Sequence, residues 1–178
     1  EKEVSQLKRE LEKSQKDAFY DALTGLYNRR YLDSEIQAID VSQSPCLIMI
    51  DVDYFKAIND KYGHQMGDRV LKAIAKRLQE KCKPNATPFR FGGEEFAVLM
   101  RDTSLTEAIH QAEVIRRALE KVTVYDRRSN RSIDGVTDSF GLAKLDQTMR
   151  RSDLLETADR RLYEAKRLGR NRVMPMQG

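Results

Sequence analysis

The apolar positions of this 178-residue chain change period several times along its length, and each change marks an element. Val4, Leu7 and Leu11, continued by Ser14 and Ala18, fall at alternating spacings of three and four in a strongly charged background over residues 1–19. That is a short heptad seam. An isolated helix of this length is marginal in water, so the seam predicts a parallel coiled coil that continues upstream and pairs two copies of the chain. The alternative is a single amphipathic helix lying on its own domain. Thr24-Gly25 breaks the helix, and Asn28 caps a second one over 28–39. After a loop at 42–45, residues 46–50 form a continuous apolar run, as expected of a central strand covered on both sides.

Helices are predicted over 54–61 and 68–81, the second with Val70, Leu71, Ile74, Ala75 and Leu78 inward and Asp68 capping its start. Residues 88–91 and 96–100 read as strands joined at Gly92-Gly93, a strong hairpin signal. A helix over 104–121 turns Ala108, Ile109, Ala112, Ile115 and Leu119 inward. Strands at 122–125 and 133–145 flank the basic turn Arg127-Arg128-Ser129-Asn130, and a last helix over 152–168 is capped by Ser152-Asp153 and ended by Gly169. The order predicts an α+β fold with a ferredoxin-like βαββαβ core of palm type, a central antiparallel sheet and right-handed crossovers, preceded by the N-terminal helix. Residues 1–19 are expected to be a stalk and 20–178 the globular domain.

Composition adds limits. With 40% hydrophobic and 34% charged residues the chain can build a core without staples. The net charge of +4 is scattered among nearly as many acids, which suits a small phosphate-bearing ligand and calls for no nucleic acid. Cys46 and Cys82 match no metal spacing and read as reduced packing residues, which suggests a reducing compartment. No apolar run approaches the roughly 18 residues of a membrane span. The domain is therefore expected to be cytoplasmic, in a longer chain that could be anchored upstream, because the sequence starts without Met and within a helical pattern.

The chemistry gathers at Phe89-Arg90-Phe91-Gly92-Gly93-Glu94-Glu95-Phe96. By itself this octapeptide is equally compatible with a tight turn bearing solvated acids. In a βαββαβ order, however, the first and third strands of the split unit are neighbours, so Asp51 and Glu94 face one point. Two carboxylates at adjacent strand ends suit a hard cation such as Mg²⁺, which typically takes one or two carboxylates plus substrate phosphates. Asp53 alternates away from Asp51 and reads as structural or as a cap for the helix at Tyr54, with support of the metal ligands as the alternative. Phe55-Lys56 stands at a helix N-terminus, where free amides and a lysine can hold phosphates. Lys166 and Arg170 make a second basic cluster, for which complementing the helix dipole is the plainer reading.

Together these segments resemble the GGDEF family of diguanylate cyclases, in its Gly-Gly-Glu-Glu-Phe form. The resemblance rests on Asp21-Ala22-Leu23-Thr24-Gly25-Leu26 with Asn28-Arg29-Arg30, on Asp51-Val52-Asp53-Tyr54-Phe55-Lys56 with Ile58-Asn59-Asp60, and on Gly63-His64 with Gly67-Asp68. It continues through the hairpin to Ala158-Asp159, Leu162-Tyr163, Ala165-Lys166 and Gly169-Arg170-Asn171. It implies condensation of two GTP into cyclic di-GMP and two pyrophosphates, with Mg²⁺ or Mn²⁺, across a homodimer in which each half-site holds one GTP. Asp51, Glu94 and the Val52 carbonyl resemble the metal ligands. Glu94 or a nearby water resembles the group that deprotonates the attacking 3′-hydroxyl, and Glu95 a supporting acid. Asn59 and Asp68 match the guanine-reading pair, and a carboxylate does suit the N1 and N2 hydrogens of guanine.

Lys56, Lys166 and Arg170 resemble triphosphate clamps, joined by amides near Tyr54 and Phe55, while Gly92 and Gly93 let the α-phosphate approach the backbone. The resemblance further implies an upstream sensory domain or a regulatory protein. A catalytically inactive GTP-binding or scaffolding domain and an ATP-using palm enzyme are the alternatives. His64 reads as structural, and Arg29 and Arg30 as packing residues or salt-bridge partners of the stalk junction. Two positions depart from the family. The inhibitory product site, Arg-x-x-Asp, is replaced by Lys83-Pro84-Asn85-Ala86, and Lys is no equivalent of the bidentate Arg fork. Asp138 occupies a position usually apolar, and is expected to reach an edge or a cationic partner.

Overall fold

A computed structural model describes residues 1–176. Its elements in chain order are α1 (Lys2–Phe19), β1 (Tyr27–Asn28), α2 (Arg29–Ala38), β2 (Cys46–Val52), α3 (Phe55–Tyr62), α4 (His64–Lys81), β3 (Ala86–Gly92) and β4 (Glu95–Met100). They continue with α5 (Leu105–Glu120), β5 (Val124–Asp126), β6 (Arg131–Ile133), β7 (Asp138–Lys144), α6 (Arg151–Arg167) and β8 (Val173–Met174). The main sheet runs β1-β3-β4-β2-β7-β8, and β5 and β6 form a separate hairpin. The four central strands pair antiparallel in the order expected of a split βαββαβ unit, with the first and third, β2 and β4, side by side. At the two edges β1 and β8 add in parallel.

Every residue of β2 is buried because helices cover both faces of the sheet. Ile48, Ile50 and Val52 face Val70, Ile74 and Leu78 of α4 and Ala112 and Ile115 of α5. The alternate residues Leu47 and Met49 face Leu32 and Ile36 of α2 and Leu154, Ala158 and Leu162 of α6. At Gly141 of β7 a Cβ would lie 2.2 Å from the Ala158 carbonyl oxygen, so only glycine lets α6 approach this closely. Asn28 caps α2 as expected, accepting from Tyr31 N–H at 3.0 Å, and its amide also donates to the Ala18 carbonyl at the end of α1.

Helix α1 buries none of its residues, and Val4, Leu7 and Leu11 are 69%, 65% and 59% exposed. It does not lie on its own domain. Other boundaries differ from the sequence reading. The α4 helix starts at His64, with Gly63 at φ +89° as the break, so Asp68 lies inside the helix and caps nothing. The expected strand over 133–145 is split into β6 and β7 at Gly135, whose φ of +66° no strand accommodates. At α6 the capping acid is Asp153, which accepts from the Arg150 N–H at 3.0 Å, while Ser152 sits within the helix.

Asp138 departs from expectation most. It pairs with Val52 across the sheet, is fully buried beside the core, and neither of its carboxylate oxygens has a partner among the described residues. It reaches neither an edge nor a cation. Burial pushes its carboxyl well above the ordinary value of 3.8, and the charges of Asp53 and Asp51 push in the same direction, towards the protonated form. The two cysteines are free, and burial raises the Cys46 thiol to about 11 and the Cys82 thiol to about 12. That leaves both as packing residues.

Candidate active site at the end of β2 and the β3–β4 turn

A backbone latch joins the two pieces of the site. Glu95 pairs with Asp51 in register, and the Val52 N–H donates to the Glu94 carbonyl at 3.1 Å, fixing the turn against the end of β2. A register shift between Arg90 and Gly92 leaves Phe91 as an extra residue in β3. Because of it Gly92 pairs with Glu95, and the two turn residues are Gly93 and Glu94 rather than the two glycines. Gly93 takes φ +47°, the left-handed region.

Asp51 is 5% exposed and accepts from the Lys166 ammonium at 2.7 Å. Burial raises its carboxyl, Lys166 partly offsets this, and Glu94 and Asp53 push it further up. Burial also raises Glu95, with Asp51 and Asp159 adding to it and Lys166 opposing. Asp159 of α6 is raised by burial and eased by Arg29 and Lys166. Of these acids Asp51 is buried, Glu94 and Glu95 are half-buried and Asp159 is exposed, and Lys166 is the cation bonded to Asp51, an arrangement that gains from further positive charge. Among the described residues no three His, Cys, Asp or Glu side chains form a ready-made cage. The donor set of Asp51, Glu94 and the Val52 carbonyl therefore fits an ion that keeps open positions for phosphate oxygens and water.

Asp53 is buried and accepts from Thr137 Oγ1 and Ser139 Oγ, both at 2.7 Å, and from the Asn171 N–H at 3.0 Å. It is structural and no helix cap. By holding Asn171 it fixes the loop carrying Arg170, whose guanidinium lies 4.6 Å from the ring centroid of exposed Tyr54. Tyr54 itself, at φ +56°, is the N-cap of α3, and Phe55 and exposed Lys56 open that helix with their amides in its first turn.

Asn59 of α3 turns Oδ1 against α4, where that oxygen is buried without a hydrogen-bond partner. It fits only because residue 67 is glycine: a Cβ there would stand 1.8 Å from Asn59 Oδ1 and 3.2 Å from Phe55 Cζ. Asp68, the next residue, is exposed on the first turns of α4, so the two expected guanine readers sit on contacting segments. His64 is exposed at the first position of α4.

Among the described residues Arg29 makes no ion pair with the end of α1. It pairs with Asp33 at 3.9 Å and lies 4.3 Å from the Phe91 ring centroid, while Arg30 is exposed. The junction is bound instead by Arg90, which pairs with Asp21 at 3.0 Å. Arg90 and Asp159 have roles that sequence reasoning missed, although both lie in the motifs; the signal at Arg90 was its place between Phe89 and Phe91, and Asp159, next to Arg160, carried none. In the window of the product site, Asn85 is engaged with the Arg101 carbonyl at 2.7 Å and Lys83 is exposed.

The family model "Diguanylate cyclase, GGDEF domain" matches residues 18–172. Diguanylate cyclase VdcA of Vibrio cholerae serotype O1 is 50% identical over 175 residues, covering 98% of this chain and 52% of VdcA, so the chain spans about half the length of that relative. Among solved structures, the coiled coil and GGDEF domain of DgcB from Caulobacter crescentus, in complex with c-di-GMP, superposes with a TM-score of 0.89 at 33% identity. It covers 96% of this chain and 92% of that one. Diguanylate cyclase SiaD in complex with its activator SiaC, from Pseudomonas aeruginosa, gives 0.82 at 34% identity, with coverage of 97% and 68%. The chain belongs to the GGDEF family of diguanylate cyclase domains.

Proposed function

We propose that this domain is a diguanylate cyclase, condensing two GTP into cyclic di-GMP and two pyrophosphates across a homodimer in which each copy supplies one GTP. The observation that carries the reading is the latched pair of strand ends: a buried Asp51, with Glu94 and Glu95 beside it and Lys166 as the close cation. The named relatives and the c-di-GMP complex of DgcB support it.

Asp51, Glu94 and the Val52 carbonyl would hold Mg²⁺ or Mn²⁺, which when bound neutralises charge on the triphosphate and stabilises the attacking and leaving oxygens. Asn59 and Asp68 orient the guanine, the carboxylate accepting from its N1 and N2 hydrogens, for which adenine has no equivalent set. Gly92 and Gly93 leave the turn open to the α-phosphate. Lys56, Lys166, Arg170 and the amides at Tyr54 and Phe55 hold the β- and γ-phosphates. Glu94, or a water it holds, takes the proton from the 3′-hydroxyl of the GTP on the other copy, with Glu95 supporting it. The 3′-oxygen bonds to the α-phosphorus, the bond to the β-phosphate oxygen breaks, and pyrophosphate leaves. The same exchange in the opposite sense closes the ring.

The exposed seam of α1 serves as the dimer stalk, and an upstream sensory domain or a regulatory protein acts on it, as the SiaD complex with its activator suggests for a relative. With GTP as substrate the domain works in the cytoplasm, and no helix among the described residues is long and apolar enough to cross a membrane. Lacking Arg and Asp at 83 and 86, the domain has no product brake there, so added cyclic di-GMP is not expected to inhibit tightly. The test of the reading is product analysis after incubation with GTP and Mg²⁺. Cyclic di-GMP and pyrophosphate in a 1:2 ratio are expected, and bound but unconverted GTP in a dimeric sample would contradict the reading.

A further inference from the structure

The Arg90 side chain touches both the segment after α1 and the turn that carries Glu94. Its Nε and Nη2 donate to the Gly93 carbonyl at 3.0 and 2.6 Å, and its Nη1 donates to Asp21 Oδ2 at 3.0 Å. The same Asp21 oxygen accepts from the Thr24 N–H at 2.9 Å and the Thr24 hydroxyl at 2.7 Å. Burial alone would raise the Asp21 carboxyl, yet the Thr24 bonds and the Arg90 charge more than offset it and hold the group below its usual range. The Asp21 N–H donates to the Leu26 carbonyl at 2.7 Å, closing the 21–26 turn on itself. The link to α1 is short, because Tyr20 is its C-cap residue and bridges to Tyr27, which pairs with Phe89 in β3.

The grip on Gly93 sets the direction of one peptide. In a trans peptide the carbonyl and the following N–H point oppositely, so fixing the Gly93 oxygen fixes the Glu94 N–H on the other side. The next carbonyl, that of Glu94, is held by Val52. Glu94 is thereby clamped on both flanks, by Arg90 before it and by β2 after it. Gly93, with no Cβ, would otherwise let this peptide rotate freely.

We infer that Asp21 and Arg90 are positioning residues that hold the Gly93–Glu94 peptide in its working orientation and make it answer to the root of α1. The inference rests on the cyclase reading of the Glu94 site. Neither residue touches substrate in this account. Arg is required because its planar fork serves two acceptors at once, which a lysine point charge cannot do.

The test compares Arg90→Lys, Arg90→Met, Asp21→Asn and the Asp21→Asn/Arg90→Met pair in the whole chain, using kcat and KM for GTP and amide hydrogen exchange over residues 93–96. Each single variant is expected to lower kcat about tenfold with KM changed less than about twofold, because a misaimed group loses transition-state rather than ground-state contacts. Exchange in the turn should quicken at least about fivefold, and the pair should be no worse than Arg90→Met alone, as for residues acting as one unit. Arg90→Lys, which keeps the charge and the fold, should behave like Arg90→Met. Additive losses, unchanged turn exchange, or a lowered Tm with kcat intact overturn the proposal. A wild-type chain that makes no product defeats the cyclase reading alone, and the exchange rates then decide the positioning role.

Discussion

Lys166 donates its ammonium to Asp51 at 2.7 Å, tying the last turn of α6 to the end of β2. The contact holds charge balance at the centre of the site, since burial raises Asp51 and Lys166 is what offsets it. Lys166→Met should lower kcat/KM for GTP by about 10²-fold, the scale of removing one charged stabiliser of phosphoryl transfer. Initial rates over a GTP series check this, and a loss under about twofold would show that the lysine serves packing alone.

Gly67 makes a second prediction because it contradicts helix propensity. Alanine is favoured over glycine by about 1 kcal/mol inside a helix, yet a Cβ here would stand 1.8 Å from Asn59 Oδ1. Gly67→Ala should therefore displace Asn59 while leaving α4 helical. The KM for GTP should rise about tenfold, and the preference for GTP over ATP should shrink, as a hydrogen-bonding site loses discrimination when its donor geometry is lost. Competition of the two nucleotides in one reaction reads the ratio.

Asp138 predicts a pH dependence of stability. Its native carboxyl holds a proton more tightly than in the unfolded chain, where the ordinary value is 3.8. The stability it confers is therefore full below that value and is lost progressively as pH rises toward the native one. Asp138→Val removes the unpartnered acid and should stabilise the fold by about 1–3 kcal/mol at pH 8. The gain should shrink on going to pH 4, as denaturant unfolding at the two pH values will measure.

The seam of α1 predicts a dependence on protein concentration. Leu7 and Leu11 are 65% and 59% exposed in the single chain, so nothing in the domain needs them. Replacing both with Glu should leave Tm nearly unchanged and abolish the rise of specific activity with concentration, while sedimentation shifts toward monomer. Equal activity in both proteins at all concentrations would remove the stalk from the account.

Much of this was legible in the sequence because its strongest signals are local. The apolar run ending at Asp51, the hairpin punctuated by glycine, and Asn28 at the head of α2 all fell where expected, and strand order then brought Asp51 to Glu95. What escaped depends on contacts between distant segments. Asp68 reads as the cap of α4, yet the helix starts at His64 and Gly67 inside it is a packing residue against Asn59. The bulge at Phe91 moved the turn by one residue, a shift that periodicity cannot register. Arg90 meets Asp21 across 69 positions of sequence, and nothing local marks the pair. Asp138 was expected to find a partner because buried acids usually do; its place opposite Val52 puts it instead inside the core.

The central claim is that the turn carrying Glu94 works with Asp51 on GTP. Its most direct test is the conversion of GTP with Mg²⁺ by the wild-type chain and by Glu94→Gln, which preserves shape and removes the charge. Wild type should yield cyclic di-GMP and Glu94→Gln none above about one part in 10³, with Tm and dimer fraction unchanged. Product from both proteins at similar rates would contradict the assignment of Glu94.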